Sequence, residues 1–184
     1  KLLWKFEADG SIFSSPSVLK GNVVFGSADG FVYCLDSKSG KLRWKQQTGA
    51  PVLGSPLVQG SIIFIGGSKA FFKYELKTGK ELWRFDSLKG PVVSTPVYYK
   101  GRIIFGAWDT NLYALNSSDG TVNWKWNNGS TVRKYSPASC IPVILFDVVY
   151  IVAPDRYITA IDFENGKTLW RNNDAGVRES IGFS

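Results

Sequence analysis

The side chains in this sequence that could do chemistry are carboxylates and guanidinium groups, because histidine is absent from all 184 residues. That absence excludes an imidazole zinc site, a His-containing catalytic triad and a His general base. Asp29, Asp109 and Asp155 lie in short turns, and carboxylate oxygens are ligands that calcium prefers. A turn aspartate also accepts hydrogen bonds from its own backbone, and this structural role is the interpretation that we favour.

A second group of chemically capable residues combines arginine with large aromatic rings. Arg133, Arg156 and Arg178 could bind planar anions through paired hydrogen bonds, and Trp108 and Tyr135 offer flat faces for stacking. These residues are dispersed along the chain, so a site requires structural elements that bring them together.

An internal repeat of about 40 residues supplies such elements. Ser-Pro or Thr-Pro pairs, turn glycines and tryptophans return at this interval. Each copy holds four short runs rich in Val, Ile, Phe and Tyr, which is typical of β-strands joined by turns. A period near 40 residues with four strands per copy predicts an all-β fold, a β-propeller of four-stranded antiparallel blades.

About four blades are predicted in this chain. They cover about residues 11–48, 49–88, 89–128 and 129–174, with partial blades at 1–6 and 176–184. The four strands of the first blade are predicted at 13–19, 22–26, 31–36 and 41–45.

Each blade carries a tryptophan on its outer strand, four residues after a turn glycine. Glycine permits the positive φ of a tight hairpin, and the flat Trp ring can cover the edge of a neighbouring blade. We therefore predict that stacking between blades stabilises the fold. The predicted docking residues are Trp44, Trp83, Trp124 and Trp170, with Gly40, Gly79, Gly120 and Gly166.

The spacing around these tryptophans carries a family resemblance. In the first copy, a small residue, Asp36, Gly40 and Trp44 follow the order small-x-Asp-x-x-x-Gly-x-x-x-Trp. The fourth copy is intact, the second has Lys73 at the small position and the third has Asn116 in place of Asp. This pattern resembles the tryptophan-docking motif of the pyrroloquinoline quinone (PQQ) dehydrogenase superfamily, which also contains assembly lipoproteins and binding domains.

The resemblance implies a ring of about seven or eight blades and an extracytoplasmic location, in the periplasm or at the cell surface of a bacterium. Because about four blades are predicted here, three arrangements stay open. The chain can be part of a longer polypeptide that holds the remaining blades, which we favour, or two chains can complete one ring as a homodimer. A closed ring of four blades is the third, less common arrangement.

The two cysteines have separate structural explanations. Cys34 aligns with alanines in two other copies, which indicates a small core residue, and Cys140 is predicted in a longer first hairpin of the fourth blade. About three blades separate them, so a disulfide between them is not expected. The disulfide between adjacent cysteines of PQQ alcohol dehydrogenases has no match here, which counts against quinone catalysis by this segment.

The places where the copies differ predict a binding site. The family geometry implies that the loops entering each inner strand share one face with the turns between the second and third strands. In the first three blades the inner strand begins with apolar or small residues, whereas the fourth begins with Val132–Tyr135, which includes Arg133. We predict a pocket at the mouth of blades three to five for an anionic or polar ligand or a peptide. Its residues are Trp108, Asp109, Arg133, Tyr135, Asp155, Arg156 and Arg178.

An alternative explanation of the same arginines is structural. Arg178 could pair with Asp155 or Glu179 and close a seam of the ring. This alternative stays open beside the binding site.

These features predict a non-catalytic binding or scaffold domain that presents a rigid face to a protein, a glycan or a small anionic ligand, without metal or cofactor. The alternative is a fragment of a dehydrogenase that binds PQQ and calcium. The net charge of +7 comes from dispersed basic residues, so nucleic acid is not a predicted partner. No apolar run reaches about 18 residues, so no transmembrane segment is predicted.

Overall fold

The computed structural model describes residues 1–174, which form two compact units. Unit one comprises residues 1–95, and unit two begins at Pro96. Each unit holds two sheets of four antiparallel strands that pair in chain order, so the predicted all-β fold of four-stranded blades, a partial β-propeller, is confirmed. Within the described residues, no helix has the length and apolar character needed to cross a bilayer.

The strands of unit one form blades one and two. Blade one consists of β1 (Ser17–Leu19), β2 (Asn22–Gly26), β3 (Phe31–Asp36) and β4 (Leu42–Gln47). Blade two consists of β5 (Leu57–Gln59), β6 (Ile62–Gly66), β7 (Phe71–Glu75) and β8 (Glu81–Phe85).

The strands of unit two form blades three and four. Blade three consists of β9 (Val97–Tyr99), β10 (Arg102–Gly106), β11 (Asn111–Asn116) and β12 (Val122–Asn127). Blade four consists of β13 (Val143–Leu145), β14 (Val148–Val152), β15 (Ile158–Asp162) and β16 (Thr168–Asn172).

The two middle strands of each blade make the core. In blade one, β2 is buried along its whole length and β3 is buried over its central residues. Both faces of these strands are covered, so apolar residues follow one another instead of alternating with polar ones. In unit one, blades one and two share a core of Val24, Val32, Ile63, Ile65 and Phe72. The middle strands therefore form a rigid base for the turns at their ends.

The inner strands are shorter than predicted. β1 begins at Ser17 rather than at residue 13, because Pro16 has no N–H to donate to a neighbouring strand. The prediction that the inner strand of blade four begins at Val132–Tyr135 is wrong, since Arg133–Tyr135 forms a 3₁₀ turn. A second 3₁₀ turn, Pro137–Ser139, has proline at its first position, where the missing N–H costs nothing.

The cysteines are buried free thiols. Burial raises the pKa of Cys34 to about 11, and the nearby positive charge of Arg43 opposes this rise only in part. Cys140 lies between the second 3₁₀ turn and β13, so its predicted place in the first hairpin is wrong. That hairpin is a tight turn at Phe146 and Asp147, both with positive φ.

Within each unit, an outer-strand tryptophan packs on a glycine of the following blade. The indole of Trp44 donates to a backbone carbonyl of blade two at 2.9 Å, and that of Trp124 donates to one of blade four at 2.7 Å. A Cβ at Gly79 would lie 2.6 Å from the Trp44 ring, and one at Gly166 would lie 2.7 Å from the Trp124 ring. Both glycines also have a φ of +72°, so backbone conformation and space each require glycine here.

Trp4 makes the same kind of contact as Trp44, whereas Trp83 and Trp170 have different surroundings. Residues 1–6, predicted as the outer strand of an incomplete blade, form no strand, but Trp4 donates to the Ser37 carbonyl at 3.0 Å and packs on Gly40. Trp83 stacks on Phe71 of its own blade with ring centres 6.3 Å apart. Trp170 remains 47% exposed.

We predict that Gly166→Ala destabilises the chain more than Gly101→Ala does. Both residues have positive φ, at 72° and 80°, so either change costs about 1 kcal/mol in backbone strain. Only at Gly166 does the new methyl group meet a Trp ring, which adds about 1–3 kcal/mol. The free energy of unfolding in urea measures the difference. Equal losses for the two variants would mean that the Trp–Gly contact contributes nothing to stability.

Candidate functional site

The turns between the second and third strands of blades one, three and four are built on one aspartate. Asp29 accepts the N–H of Phe31 at 3.0 Å, and Asp109 accepts that of Asn111 at 3.2 Å. In blade four, Asp155 accepts the N–H two residues further on at 3.1 Å. The prediction that these aspartates bind their own backbone is therefore confirmed.

A buried tyrosine holds the second carboxylate oxygen in blades one and three. Tyr33 donates its hydroxyl to Asp29 at 2.7 Å, and Tyr113 donates to Asp109 at the same distance. Burial, together with the neighbouring carboxylate, raises the pKa of both tyrosines well above the usual range. Blade two has a shorter turn without aspartate, and Phe72 takes the place of the tyrosine. The hydroxyl and the carboxylate are thus lost together, as expected for partners in one hydrogen bond.

Blade four keeps the aspartate but replaces the tyrosine with Thr159. Arg171 of the outer strand now approaches the carboxylate of Asp155 at 2.6 Å, and its guanidinium lies 4.3 Å from the ring centre of Tyr157. Asn128 donates to the same oxygen of Asp155 at 2.6 Å. The proposed partner of Asp155 in a ring seam, Arg178, lies outside the described residues, and the observed partner is Arg171.

The strand register aligns the turns differently from the sequence comparison. Comparison of the copies by sequence alone aligns Asp155-Arg156-Tyr157 with the turn Ala28-Asp29-Gly30. That alignment is wrong, because the strand register places Pro154-Asp155-Arg156 at this turn. Arg156 therefore stands where blade one has Gly30, and Thr110 stands there in blade three. All three residues have positive φ, at 86° for Gly30, 72° for Thr110 and 70° for Arg156. Two side chains thus occupy a conformation that suits glycine.

The segment that enters blade four lies beside the turn of blade three. Thr110 donates its N–H to the hydroxyl of Ser136 at 3.0 Å, and Asn127 donates to the carbonyl and hydroxyl oxygens of Thr110 at 2.9 and 2.8 Å. Asn128, the next residue, holds Asp155. Asn127 binds the turn of blade three, and Asn128 binds the turn of blade four. Two consecutive residues at the end of β12 therefore link the two turns.

The structure brings most of the predicted site residues to this segment and its two turns. Arg133 is exposed, Arg156 is exposed and Trp108 is half-buried. Tyr135 is half-buried, and the Lys134 ammonium lies 5.0 Å from its ring centre. The side chains of Arg133 and Arg156 have no ion-pair partner within the described part of the chain. The sequence analysis missed Asn127, Asn128 and Arg171. Its one signal was Thr159, because a turn aspartate without the usual tyrosine needs another hydrogen-bond donor.

The turn carboxylates do not fit a calcium ion. Asp29, Asp109 and Asp155 each accept hydrogen bonds on both oxygens, and Asp155 also faces a guanidinium. Calcium needs about six to eight oxygen ligands. Among the described residues, no cluster of three or more Cys, Asp or Glu residues could hold a metal ion.

In unit one, the corresponding entry loops have a different surface. Phe13, Leu53 and Val93 line a cavity of about 290 Å³, and Phe13 is 70% exposed. These are apolar residues that the sequence comparison contrasted with Arg133. The contrast between apolar and basic entry loops is therefore present in the structure.

We predict that Tyr113→Phe lowers the free energy of unfolding by about 1–2 kcal/mol, because a buried carboxylate hydrogen bond is lost. Tyr150→Phe is the matched control in the same unit, since Tyr150 is half-buried and its ring centre lies 6.1 Å from that of Trp170. That variant should change stability by less than about 0.5 kcal/mol. Urea unfolding of both variants tests this, and equal effects would show that the Tyr113–Asp109 bond is not stabilising.

Comparison with known proteins gives the chain a family. The sequence matches the family described as "Outer membrane protein assembly factor BamB" over residues 1–69 and 54–180. The BamB of Francisella tularensis subsp. tularensis (strain SCHU S4 / Schu 4) is 25% identical over 158 residues, which cover 85% of this chain but 32% of that protein. The chain thus spans about a third of that curated relative.

Solved structures share the fold. BamB from Moraxella catarrhalis superposes with a TM-score of 0.75 at 16% identity, covering 91% of this chain and 55% of that one. A europium-containing methanol dehydrogenase superposes with a TM-score of 0.78 at 13% identity, covering 92% and 45%. The predicted resemblance to the PQQ-dehydrogenase propellers is confirmed, and the chain belongs to the family of outer membrane protein assembly factor BamB.

Proposed function

We propose that this chain is a non-catalytic binding segment of an extracytoplasmic β-propeller, and that the mouth of blades three and four binds an acidic peptide segment of a partner protein. The proposed surface consists of the turn at 108–110, the entry segment at 128–136 and the turn at 154–157. Membership of a family described as an assembly factor supports a role in binding other proteins.

The observation that carries the proposal is the positive φ of Arg156, 70°, at a position where blade one has glycine. A non-glycine residue in this conformation costs about 1 kcal/mol or more. The fold does not need that side chain, because Gly30 makes the equivalent turn in blade one. Retention of a strained, exposed guanidinium therefore favours a role in binding.

The surroundings of Arg156 suit a carboxylate-bearing partner. Arg133 supplies a second exposed guanidinium, and guanidinium groups bind carboxylates through paired hydrogen bonds. Asp155 is neutralised by Arg171 at 2.6 Å, so the aspartate adds little repulsion. Trp108, in the turn of blade three, offers a half-buried apolar ring.

We predict that short Glu-rich peptides bind the chain and that Arg156→Gly weakens this binding about tenfold or more, through loss of a charge-assisted contact. The same variant should raise the free energy of unfolding by about 1 kcal/mol, because glycine relieves the strain. Isothermal titration and urea unfolding measure the two effects. Lys167→Ala is the charge control, since Lys167 is exposed near the β15–β16 turn at the opposite end of blade four.

Opposite changes in affinity and stability for Arg156→Gly would support the proposal. Equal loss of peptide affinity in Lys167→Ala would show that only overall charge matters. A large loss of stability in Arg156→Gly would assign Arg156 to the fold.

The alternative function is that of a PQQ and calcium dehydrogenase segment, which the likeness to a methanol dehydrogenase favours. The engagement of the turn carboxylates argues against it. We predict that the chain, incubated with PQQ and calcium and passed through a gel-filtration column, elutes without quinone absorbance. Stoichiometric absorbance on the protein would favour the dehydrogenase and contradict the proposed absence of a cofactor.

A further inference from the structure

Unit one contains a basic cavity at the end of its blades that carries the β1–β2 turn. Its volume is about 200 Å³, and it lies where the β1–β2 turn of blade one meets blade two. Lys20, Arg43 and Lys77 line it, together with the polar side chains of Asn22 and Ser61. No acidic side chain is among the residues that line this cavity.

The three cations differ in how far they are neutralised. Arg43 pairs with Asp36 at 2.5 Å and donates to the Asn22 side-chain oxygen at 2.7 Å, which fixes its guanidinium. Lys20 and Lys77 are exposed, and neither has an acidic partner within 4 Å among residues 1–174. These two uncompensated residues therefore line a space that exceeds the ~30 Å³ share of one water molecule several times.

In the equivalent junction between blades three and four, the basic side chains are neutralised by ion pairs. There Lys100 pairs with Asp147 at 2.7 Å, and Arg102 pairs with Glu164 at 2.5 Å. In that junction two acidic side chains from the following blade cap the basic residues of the preceding one.

Backbone hydrogen bonds establish which residues correspond. The N–H of Leu76 donates to the Ser61 carbonyl at 2.8 Å, just as the N–H of Phe163 donates to the Asp147 carbonyl at 3.0 Å. Ser61 therefore stands in the place of Asp147. Lys77, which follows Leu76, stands in the place of Glu164, which follows Phe163. Both acids of the neutralised junction are missing in unit one, and one of them is reversed in charge.

We propose that this cavity binds a small tetrahedral oxyanion of the phosphate class, held by Lys20 and Lys77 with the fixed guanidinium of Arg43 beside them. An anion with several oxygens can accept hydrogen bonds from both ammonium groups at once. Ser61 offers a neutral hydroxyl where an acid would repel the ligand. The anion takes the place of the two carboxylates that the equivalent junction supplies from its own chain.

The test uses the whole chain and inorganic phosphate as the probe, titrated while backbone amide chemical shifts are followed by NMR. Gly60, Ser61 and Lys77 should show saturable shifts. Ser61→Asp, which restores the equivalent of Asp147, and Lys77→Glu, which restores that of Glu164, should each weaken phosphate binding about tenfold or more. Because Ser61→Asp can pair with Lys20, it should not lower the melting temperature, which separates loss of binding from loss of folding.

Lys38→Glu is the matched control. The N–H of Ser37 donates to the Gly21 carbonyl, just as the N–H of Leu76 donates to the Ser61 carbonyl. Lys38 follows Ser37 and therefore has in blade one the position that Lys77 has in blade two. Lys38 does not line the cavity. Lys38→Glu alters the net charge as much as Lys77→Glu does and should reduce phosphate affinity less than about threefold. An equal reduction by Lys38→Glu, or unchanged affinity in both cavity variants, would overturn the proposal.

A second titration with glycerol 3-phosphate distinguishes the source of the oxyanion. Binding of both probes, each lost in Ser61→Asp, would assign the site to the phosphate group whether free or esterified. Binding of inorganic phosphate alone would restrict the ligand to the free ion. Absence of saturable shifts with either probe would contradict the site.

Discussion

The contact of an outer-strand tryptophan with a glycine of the following blade is the constraint on which each unit depends. Trp44 on Gly79 and Trp124 on Gly166 leave no room for even a methyl group, so each contact fixes the distance between two sheets. The indole N–H also donates to a backbone carbonyl of the next blade, which fixes the orientation of the ring. A blade buries apolar side chains on both faces of its middle strands and requires a neighbour to cover them. This explains why tryptophan and glycine keep a period near 40 residues while other positions drift.

With the sheets fixed in this way, the turns at the opposite end can diverge. Blades one and three hold their turns with an aspartate and a tyrosine, and blade two has neither. Blade four keeps the aspartate and uses an arginine from its outer strand. The same scaffold thus accepts two hydrogen-bonding arrangements and a turn that has neither, and at Thr110 and Arg156 it accepts backbone strain. At Arg156 a strained backbone conformation that glycine adopts in blade one coincides with an exposed guanidinium, and this coincidence links the scaffold to the proposed binding role.

The sequence predicted the blades well because their determinants are local and repeated. Alternation of apolar runs with turns located the middle strands, and one period related all four copies. The inner strands were predicted too long because Pro16 ends hydrogen bonding in a segment that is otherwise apolar. The two 3₁₀ turns before β13 and the position of Cys140 depend on one longer connection that no other copy repeats. The Asp155–Arg171 pair and the basic cavity near Lys77 depend on which side chains meet across strands and blades, and periodicity alone does not give those pairings.

We propose that the turns and entry segment of blades three and four form a binding surface carried by a scaffold that does not change. Hydrogen–deuterium exchange of the whole chain, with and without a Glu-rich peptide, tests it most directly. We expect slower exchange at residues 108–110, 128–136 and 154–157, with unchanged exchange in the middle strands. Slower exchange confined to the opposite turns, around Lys38 and Lys167, or spread evenly over all blades, would contradict it.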